Sequence, residues 1–365
     1  MPNKQDRDLN TAEQDAFGRE LDALRQRTQA KVGAEDARYI RRVVAAVRYT
    51  ELAGRGLLYC WFLPPLWLLG AVLLGISKIL DNMELGHNVI HGQYDFIRDP
   101  HLNGKTFEWD IAGTSENWRV SHNFKHHTYT NVRGMDADIG YGLLRLFPEQ
   151  RWKPFYLLQP LYALLLALYF QWGVAIQELE LGKLFSGKKS KAEFRKEFAP
   201  LGKKIRRQLL KDYLFFPLLG GPLFLPILFG NLIANGIRNL WTYTIIFCGH
   251  FTADAEVFPK TSIINESRGH WYLRQLRGSS NLKGGKLMHI MSGNLSHQIE
   301  HHFFPDIPAR RYAEMAVEVR EICARYGQHY NVGTLSSQFS QVLWRIFRHA
   351  FPSALPRRGS AVAYG

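Results

Sequence analysis

The feature that most constrains this chain is a stretch without a single charged side chain, residues 56–77. Its 22 residues are enough to cross the hydrocarbon core of a bilayer as a helix, which takes about 20. Pro64 and Pro65 lie in the middle of the stretch, and a proline inside a helix costs roughly 3 kcal/mol. We therefore predict a hairpin with spans near 43–63 and 66–86, in preference to a single span over 56–77.

Two further apolar runs, near 212–230 and 233–249, meet at Asn231 and predict a second hairpin. The segment 183–211 before them carries eleven Lys or Arg against two Glu, which places it on the cytoplasmic side of the membrane. Residues 154–173 are also apolar, but they cannot cross if both hairpins begin and end in the cytoplasm. We therefore expect an interfacial or re-entrant helix at 154–173.

The sequence divides into a polar N-terminal cytoplasmic helical segment at 1–40, a membrane domain at 41–332 and an amphipathic C-terminal tail at 333–365. Residues 1–40 lack the apolar core of a signal peptide. The three cysteines are far apart and predict no disulfide framework. The formal net charge of +14 comes without a nucleic-acid-binding motif, so we expect no nucleic acid partner.

Eight of the 14 histidines lie in three short motifs, one HxxxH and two HxxxHH, and the third motif also reads as QxxHH. On a helix, residues i and i+4 share a face and lie about 6 Å apart along the axis, so two imidazoles can converge on one ion. An adjacent histidine points roughly 100° away and can reach a second ion. The motifs therefore predict a two-metal cluster with the candidate ligands His87, His91, His122, His126, His127, His297, Gln298, His301 and His302.

Some residues near the motifs are candidates for supporting roles. His250 ends the last predicted span on the side of the motifs and is a further candidate ligand. Glu84 begins an ExxH pattern, but soluble carboxylate-bridged di-iron bundles need this pattern twice, so Glu84 is expected beside the metal ligands and not among them. Acceptors for the outer imidazole nitrogens are expected among Asp95, Asp110, Asp136 and Asp138.

The order and spacing of the three motifs, and the hairpins between them, resemble the integral-membrane fatty acid desaturases over about residues 40–330. The third motif, within residues 294–305, is similar to the QxxHH box of front-end and bacterial acyl desaturases. His250 resembles the extra ligand after the last span of animal acyl-CoA desaturases, and either His297 or Gln298 can be the ligand of the third box.

The resemblance implies two non-haem iron ions and O₂ as co-substrate, with a cis double bond introduced into an acyl chain. Removing hydrogen from an unactivated methylene needs a redox-active metal, which zinc is not. The implied fold is an all-α integral membrane protein, with two transmembrane helical hairpins (four spans) and a cytoplasmic helical cap carrying the histidine-ligated di-iron site. The implied location is the bacterial inner membrane, with the active site and both termini cytoplasmic.

The chain has no HPGG haem-binding motif, so the resemblance implies a separate electron donor, which is ferredoxin-like, rubredoxin-like or a reductase. The implied substrate is a fatty acyl group carried as acyl-CoA or phospholipid within the lipid membrane. The basic segment 183–211 can attract an acidic donor, an anionic headgroup or the phosphates of CoA, or it can simply fix the topology.

Two other functions share part of this pattern. A membrane lipid or alkane hydroxylase can use the same di-iron scaffold and oxidant, and it differs in its product. A non-catalytic metal transporter predicts histidine or acidic residues within the spans, whereas the histidine motifs here lie outside them. The QxxHH form and the number of hairpins favour desaturation.

Overall fold

The computed structural model describes residues 6–352, so residues 353–365 of the predicted tail and residues 1–5 lie outside the described range. Within that range the chain is mostly helical. The helices are α1 (Thr11–Gln29), α2 (Ala34–Leu57), α3 (Pro64–Ile79, continued by Leu80–His87 and Asn88–Ile90), α4 (Ser115–Trp118, continued by Arg119–His126 and His127–Tyr129), α5 (Gln159–Leu168), α6 (Phe170–Gln177), α7 (Leu181–Phe185), α8 (Lys191–Leu210, continued by Lys211–Phe215 and Phe216–Leu219), α9 (Phe224–His250), α10 (Arg268–Arg277), α11 (Lys286–Met291), α12 (Gln298–Phe303), α13 (Tyr312–Arg325) and α14 (Leu335–Ala350).

Short elements connect these helices. Two-residue strands β1 (Asn281–Leu282) and β2 (Val332–Gly333) pair in parallel. Single 3₁₀ turns lie at Asp95–Ile97, Pro100–Leu102, Ile139–Gly142, Pro154–Leu158, Gly221–Leu223, Lys260–Ile263, Leu295–His297 and Ala309–Arg311.

Helices α2 and α3 form the first hairpin, and the chain turns at the two prolines as the sequence predicts. Pro64 begins α3, where its missing N–H has no helical partner to lose, so it starts the helix instead of breaking it. The two helices touch closely at Gly54 and Gly70. A Cβ on Gly54 would lie 2.7 Å from the backbone nitrogen of Leu74, so only glycine fits this contact.

Helices α8 and α9 form the second hairpin, but the break expected at Asn231 is wrong. Asn231 lies inside the continuous helix α9, fully buried, and its side-chain amide donates a hydrogen bond of 2.6 Å to the backbone oxygen of Asp212 in α8. An asparagine whose side-chain NH₂ finds an acceptor on a neighbouring helix can lie inside a helix without ending it. The chain turns at Gly220 and Gly221 instead, and Gly221 has a φ of 52°, which glycine adopts without strain.

Two helical stretches, Pro64–Ile90 and Gly221–His250, are long and apolar enough to cross a membrane. A third candidate is the broken pair Pro154–Leu168 and Phe170–Gln177, which is bent by 102° and is either a broken span or a re-entrant segment. Exposed apolar side chains surround the two hairpin turns, among them Tyr59, Trp61, Phe62, Leu66, Phe215, Leu218, Leu219, Leu225 and Phe229. These features associate the chain with a membrane.

Helices α3 and α9 pack against each other and carry histidines at their C-terminal ends, far from the hairpin turns. Helices α4 and α12 lie over these ends and bring the second and third histidine motifs to the same place. Helices α1, α10 and α13 pack beside α12 around a separate apolar core that includes Phe17, Tyr272 and Phe303. The fold therefore closes a helical cap over one end of the two long helices.

Candidate metal centre

The three histidine motifs and His250 converge on one buried site. Two groups made of histidines alone have ligand nitrogens within 4.8 Å of one another, and a third group combines His122 and His126 with Asp138. The first group is His87, His91, His122 and His301, and the second is His126, His250 and His302. His127 lies between the groups, with its ring centroid 4.7 Å from that of His301 and 4.4 Å from that of His302. The prediction that distant parts of the chain bring these imidazoles together is confirmed.

The motifs divide between the two groups in a way that only partly follows the helical spacing. His87 and His91 share the first group, and the adjacent pair His301 and His302 splits between the groups, as expected. His122 and His126 were expected to converge on one ion; they fall in different all-histidine groups, and they also form a third group with Asp138. The two rings stack with centroids 4.9 Å apart, and their Nε2 atoms face different partners, His87 for His122 and His250 for His126.

The inner nitrogens of the cluster face each other, and hydrogen bonds among the rings cannot pair all of them. Nε2 of His87 lies 3.3 Å from Nε2 of His122, and Nε2 of His250 lies 3.3 Å from that of His126 and 3.2 Å from that of His302. Among the described residues, His91 and His301 have a buried Nε2 without any partner, and His127 has two such nitrogens. Converging lone pairs of this kind are the donor set of a transition metal, so the residues present fit metal ions.

The outer nitrogens of the same rings are held by acceptors. Nδ1 of His126 lies 3.0 Å from Asp136, Nδ1 of His250 lies 3.2 Å from the backbone oxygen of Gly278, and Nδ1 of His302 lies 2.9 Å from Oε1 of Gln275. An N–H donated outward leaves Nε2 unprotonated and directed inward, which is the form that binds a metal.

Burial keeps most of these imidazoles neutral. Desolvation, together with neighbouring imidazoles, holds the pKa values of His122, His127, His301 and His302 well below the ordinary value. His126 is the exception. Burial opposes its charged form, but the charge of Asp136 and the hydrogen bond to it outweigh burial and raise the pKa of His126.

Two of the four carboxylates proposed as acceptors do contact ligand rings. Asp136 binds His126, and Asp138 lies 3.5 Å from Nδ1 of His122. Asp95 and Asp110 lie elsewhere: Asp95 accepts a hydrogen bond from the backbone of Gly104, and Asp110 binds Lys211 and Gln208. Sequence position alone could not distinguish the two aspartates that contact the rings from the two that do not, because all four occur in turn-rich segments close to the motifs.

The two candidates of the third box occupy different places. Nε2 of Gln298 lies 2.9 Å from Nε2 of His250, at the edge of the second group. The ring of His297 points away and packs against His289 with centroids 4.6 Å apart. Glu84 is buried beside the site, as expected, where it accepts hydrogen bonds from Tyr39 and Asn294 and contacts no histidine of the cluster.

A pocket adjoins the cluster between the long helices and the cap. His87, His122, His126 and His250 line one end of it. Most of the wall is apolar and includes Met83, Trp109, Ile111, Trp118, Phe170, Val174, Ile246 and Leu295. The arrangement can hold an apolar chain directly against the histidine cluster.

Sequence reasoning missed the polar side chains in this cavity, chiefly Arg238 and Gln171. Arg238 is fully buried and donates to Asn235 and Asn239, while its Nη1 has no partner among the described residues. A single arginine in an apolar helix is the only sequence signal that could have found this feature, since such residues usually face a cavity.

The family model "Fatty acid desaturase" matches residues 62–334, which is most of the chain. The chain is 46% identical over 341 residues to the NADPH-dependent stearoyl-CoA 9-desaturase of Mycobacterium tuberculosis, covering 92% of this chain and 80% of that protein. It is 30% identical over 283 residues to the sn-1 linoleoyl-lipid 6-desaturase of a Synechocystis species, covering 73% of this chain and 76% of the relative. The acyl-lipid (7-3)-desaturase of Rebecca salina is 29% identical over 312 residues, covering 80% of this chain and 64% of the relative. The protein is therefore a fatty acid desaturase, an oxidoreductase that belongs to the family described by this model.

Proposed function

We propose that the two histidine groups hold two non-haem iron ions and that the protein uses O₂ to introduce a cis double bond into a fatty acyl chain. The observation that carries this proposal is the division of the buried imidazoles into two groups with inward-facing nitrogens. His87, His91, His122 and His301 would hold one ion, and His126, His250 and His302 would hold the other, with His127 between them and Gln298 at the edge. When bound, iron supplies the oxidising power that an unactivated C–H bond requires.

The chain's own residues bind and orient the substrate. The apolar wall of the cavity, which includes Met83, Phe170 and Ile246, excludes water from the acyl chain and holds it against the cluster. Trp118 stacks on His122 with ring centroids 4.2 Å apart and lines the same cavity, so it fixes the ligand ring and bounds the space beside it. Asp136 keeps the proton of His126 on Nδ1, which directs Nε2 to the metal site.

We propose a saturated long-chain acyl-CoA as substrate, with the double bond introduced at position 9. This rests on the relative with 46% identity, whose name gives stearoyl-CoA and that position. The other relatives carry names that refer to acyl lipids, so a phospholipid-bound acyl chain is the alternative carrier.

We also propose that both hairpins cross the bacterial inner membrane, giving four spans with the histidine cluster and both termini in the cytoplasm. Support comes from the apolar side chains around the hairpin turns and from the position of the cluster at the opposite ends of α3 and α9. A reporter fused after Ser190, which begins the basic helix α8, should lie in the cytoplasm. A reporter on the opposite side would contradict this topology.

Lipid analysis after expression in cells with defined acyl chains tests the function. The wild-type protein should produce new monoenoic chains, whereas hydroxylated chains would identify the scaffold as a hydroxylase. His126→Ala should abolish the product and lower the iron content of the purified protein. His101→Ala is the matched control, because His101 is exposed and makes no contact with the cluster. Full activity of His126→Ala, or iron-free wild-type protein after preparation with iron present, would overturn the proposal.

A further inference from the structure

On one side of the protein a single helix, α4, which carries the second histidine motif, separates the cluster from the surface. His122 and His126 point inward and are buried. On its outer face the same helix exposes Val120 and Phe124, with 52% and 59% of their surface accessible. A helix with its side chains is about 10 Å across, so this surface lies close to both histidine groups.

Cationic side chains adjoin these exposed apolar residues. Lys125 follows Phe124 and lies near Glu180: burial opposes the charged form of this carboxyl, but Lys183 and, to a smaller extent, Lys125 lower its pKa. Lys183 pairs with Glu180 at 2.6 Å and is half exposed. Helix α7 ends in Phe185, which is 84% exposed, and Lys188 follows it on the surface. We call this surface the α4 face and define it as Val120, Phe124, Lys125, Lys183, Phe185 and Lys188.

The α4 face differs from the surface around the hairpin turns. Around the turns, leucine and phenylalanine side chains follow one another without lysines between them, as at Leu214–Leu219. On the α4 face, each exposed aromatic side chain has a lysine within three residues in sequence: Lys125 beside Phe124, and Lys183 and Lys188 beside Phe185. Apolar centres with a charged rim are typical of protein interfaces. The α4 face therefore fits a protein partner better than the bilayer.

The proposed reaction needs such a partner. Converting one CH₂–CH₂ unit and one O₂ into a CH=CH unit and two water molecules consumes two electrons and two protons from outside. Two reduced one-electron donors supply the electrons and leave oxidised, and the protons come from solvent. Electron transfer requires the donor to approach the metals closely, and α4 offers a short path because its own residues include His122, His126 and Trp118.

We propose that the α4 face is the docking surface for an acidic electron-donor protein, which delivers electrons across α4 to the histidine cluster. This inference rests on the proposed function and specifies its partner. The positive rim matches a negatively charged donor, and such complementarity mainly raises the rate of association. Redox partners need only a small interface, typically below about 1,200 Å². Two aromatic centres with a lysine rim are therefore sufficient for transient docking.

The test uses the full-length protein in nanodiscs and two sources of electrons. One source is a plant-type ferredoxin, an acidic protein, reduced by NADPH through its reductase. The other is dithionite-reduced methyl viologen, a small mediator that needs no docking surface. We compare Lys125→Glu/Lys188→Glu with the matched control Lys283→Glu/Lys286→Glu, which makes the same charge change at two exposed lysines beside α11. Phe124→Ser is a second variant that leaves the charge unchanged.

The α4-face double variant should lose at least about tenfold in kcat/KM for ferredoxin, in line with electrostatic effects on association. Its turnover with methyl viologen and its iron content should match those of the wild type. The control variant should stay within about twofold with both donors, and raising the salt concentration should reduce the difference between the two double variants. Phe124→Ser should weaken ferredoxin-driven turnover without this salt dependence.

Other outcomes overturn the inference and remain distinguishable from failure of the proposed function. Equal ferredoxin kinetics in both double variants would show that donors dock elsewhere. A wild-type enzyme that turns over with methyl viologen but not with ferredoxin would rule out the acidic donor class. Activity that depends on anionic lipid in the nanodisc, and falls with both donors in the α4-face variant, would assign the face to the membrane. No desaturation with either donor would contradict the proposed function itself.

Discussion

The contact between Asp136 and His126 allows a quantitative test of how the second histidine group would hold a metal ion. Oδ2 of Asp136 accepts hydrogen bonds from Nδ1 of His126 at 3.0 Å and from the backbone N–H of Asn131 at 2.8 Å. Oδ1 accepts from the backbone N–H of Asp138 at 2.9 Å. The carboxylate thus serves three donors, and two of them are backbone groups that cannot turn away.

Asp136→Asn removes the charge and replaces one acceptor with an NH₂ donor while keeping the shape. If the amide oxygen still accepts the hydrogen bonds from His126 and Asn131, the NH₂ group of the asparagine faces the N–H of Asp138. A buried donor is then left unsatisfied, at a cost of about 1–3 kcal/mol. If the amide flips, its NH₂ faces Nδ1 of His126 and favours the tautomer whose Nε2 is protonated, which cannot bind a metal. Either arrangement weakens the second group.

We expect Asp136→Asn to lose about half of its bound iron at a chelator concentration 10- to 100-fold lower than the wild type needs. This is the usual effect of losing an acceptor behind a ligating histidine. This corresponds to roughly 1.4–2.8 kcal/mol of binding free energy. The assay is iron retained per protein after equilibration with graded chelator. Asp99→Asn is the matched control, since the carboxylate of Asp99 accepts the backbone N–H of His101, and asparagine caps equally well. Identical retention curves for Asp136→Asn and the wild type would refute the reasoning.

Three further predictions follow from single contacts. Gln298→Leu should lower iron retention in the same chelator assay and His297→Ala should not, because only Gln298 reaches His250; a loss confined to His297→Ala would contradict the observed side-chain placement. Gly54→Ala should lower the thermal unfolding midpoint in detergent, at a cost of about 1–3 kcal/mol, because the new Cβ would meet the backbone of α3. Gly56→Ala should leave the midpoint unchanged, because a Cβ there meets open space, and equal midpoints for the two variants would show that the helices can move apart freely. Burial opposes the charged form of Asp36, but pairing with arginines outweighs burial and lowers its pKa. The folded state should therefore lose stability as the pH falls below about 4, the ordinary pKa of aspartate. Asp36→Asn should flatten this part of the pH profile of the unfolding midpoint, and an unchanged profile would contradict the pairing.

The histidine site could be predicted from sequence because metal chemistry leaves a dense local signature. Four-residue and adjacent spacings report which imidazoles share a helix face, whatever the rest of the fold does. His250 was found from its position at the end of an apolar run. The division of the second motif between the groups was not predicted, because the partners that His122 and His126 face, His87 and His250, come from distant parts of the chain.

The turn of the second hairpin shows a different limit of sequence reasoning. Asn231 and Gly220 both interrupt an apolar run, and sequence preferences allow a break at either one. The backbone oxygen of Asp212 accepts a hydrogen bond from the side-chain NH₂ of Asn231, which helps to accommodate this asparagine in a buried helix interior. Gly220 has no side chain to satisfy, and its neighbour Gly221 adopts the left-handed conformation that a tight turn needs.

The arrangement of the acceptors suggests why the cluster is assembled from four separate parts of the chain. The inner nitrogens belong to rings on α3, α4, α9 and α12, while the acceptors behind the second group come from Asp136, Gly278 and Gln275 in other segments. Ions bound at the centre would therefore join the membrane hairpins to the cap, so that metal binding and docking of the cap are coupled. Because α4 contributes to both groups and also forms the surface, its position would depend on both proposed ions, and the α4 face would be complete only in the iron-loaded protein.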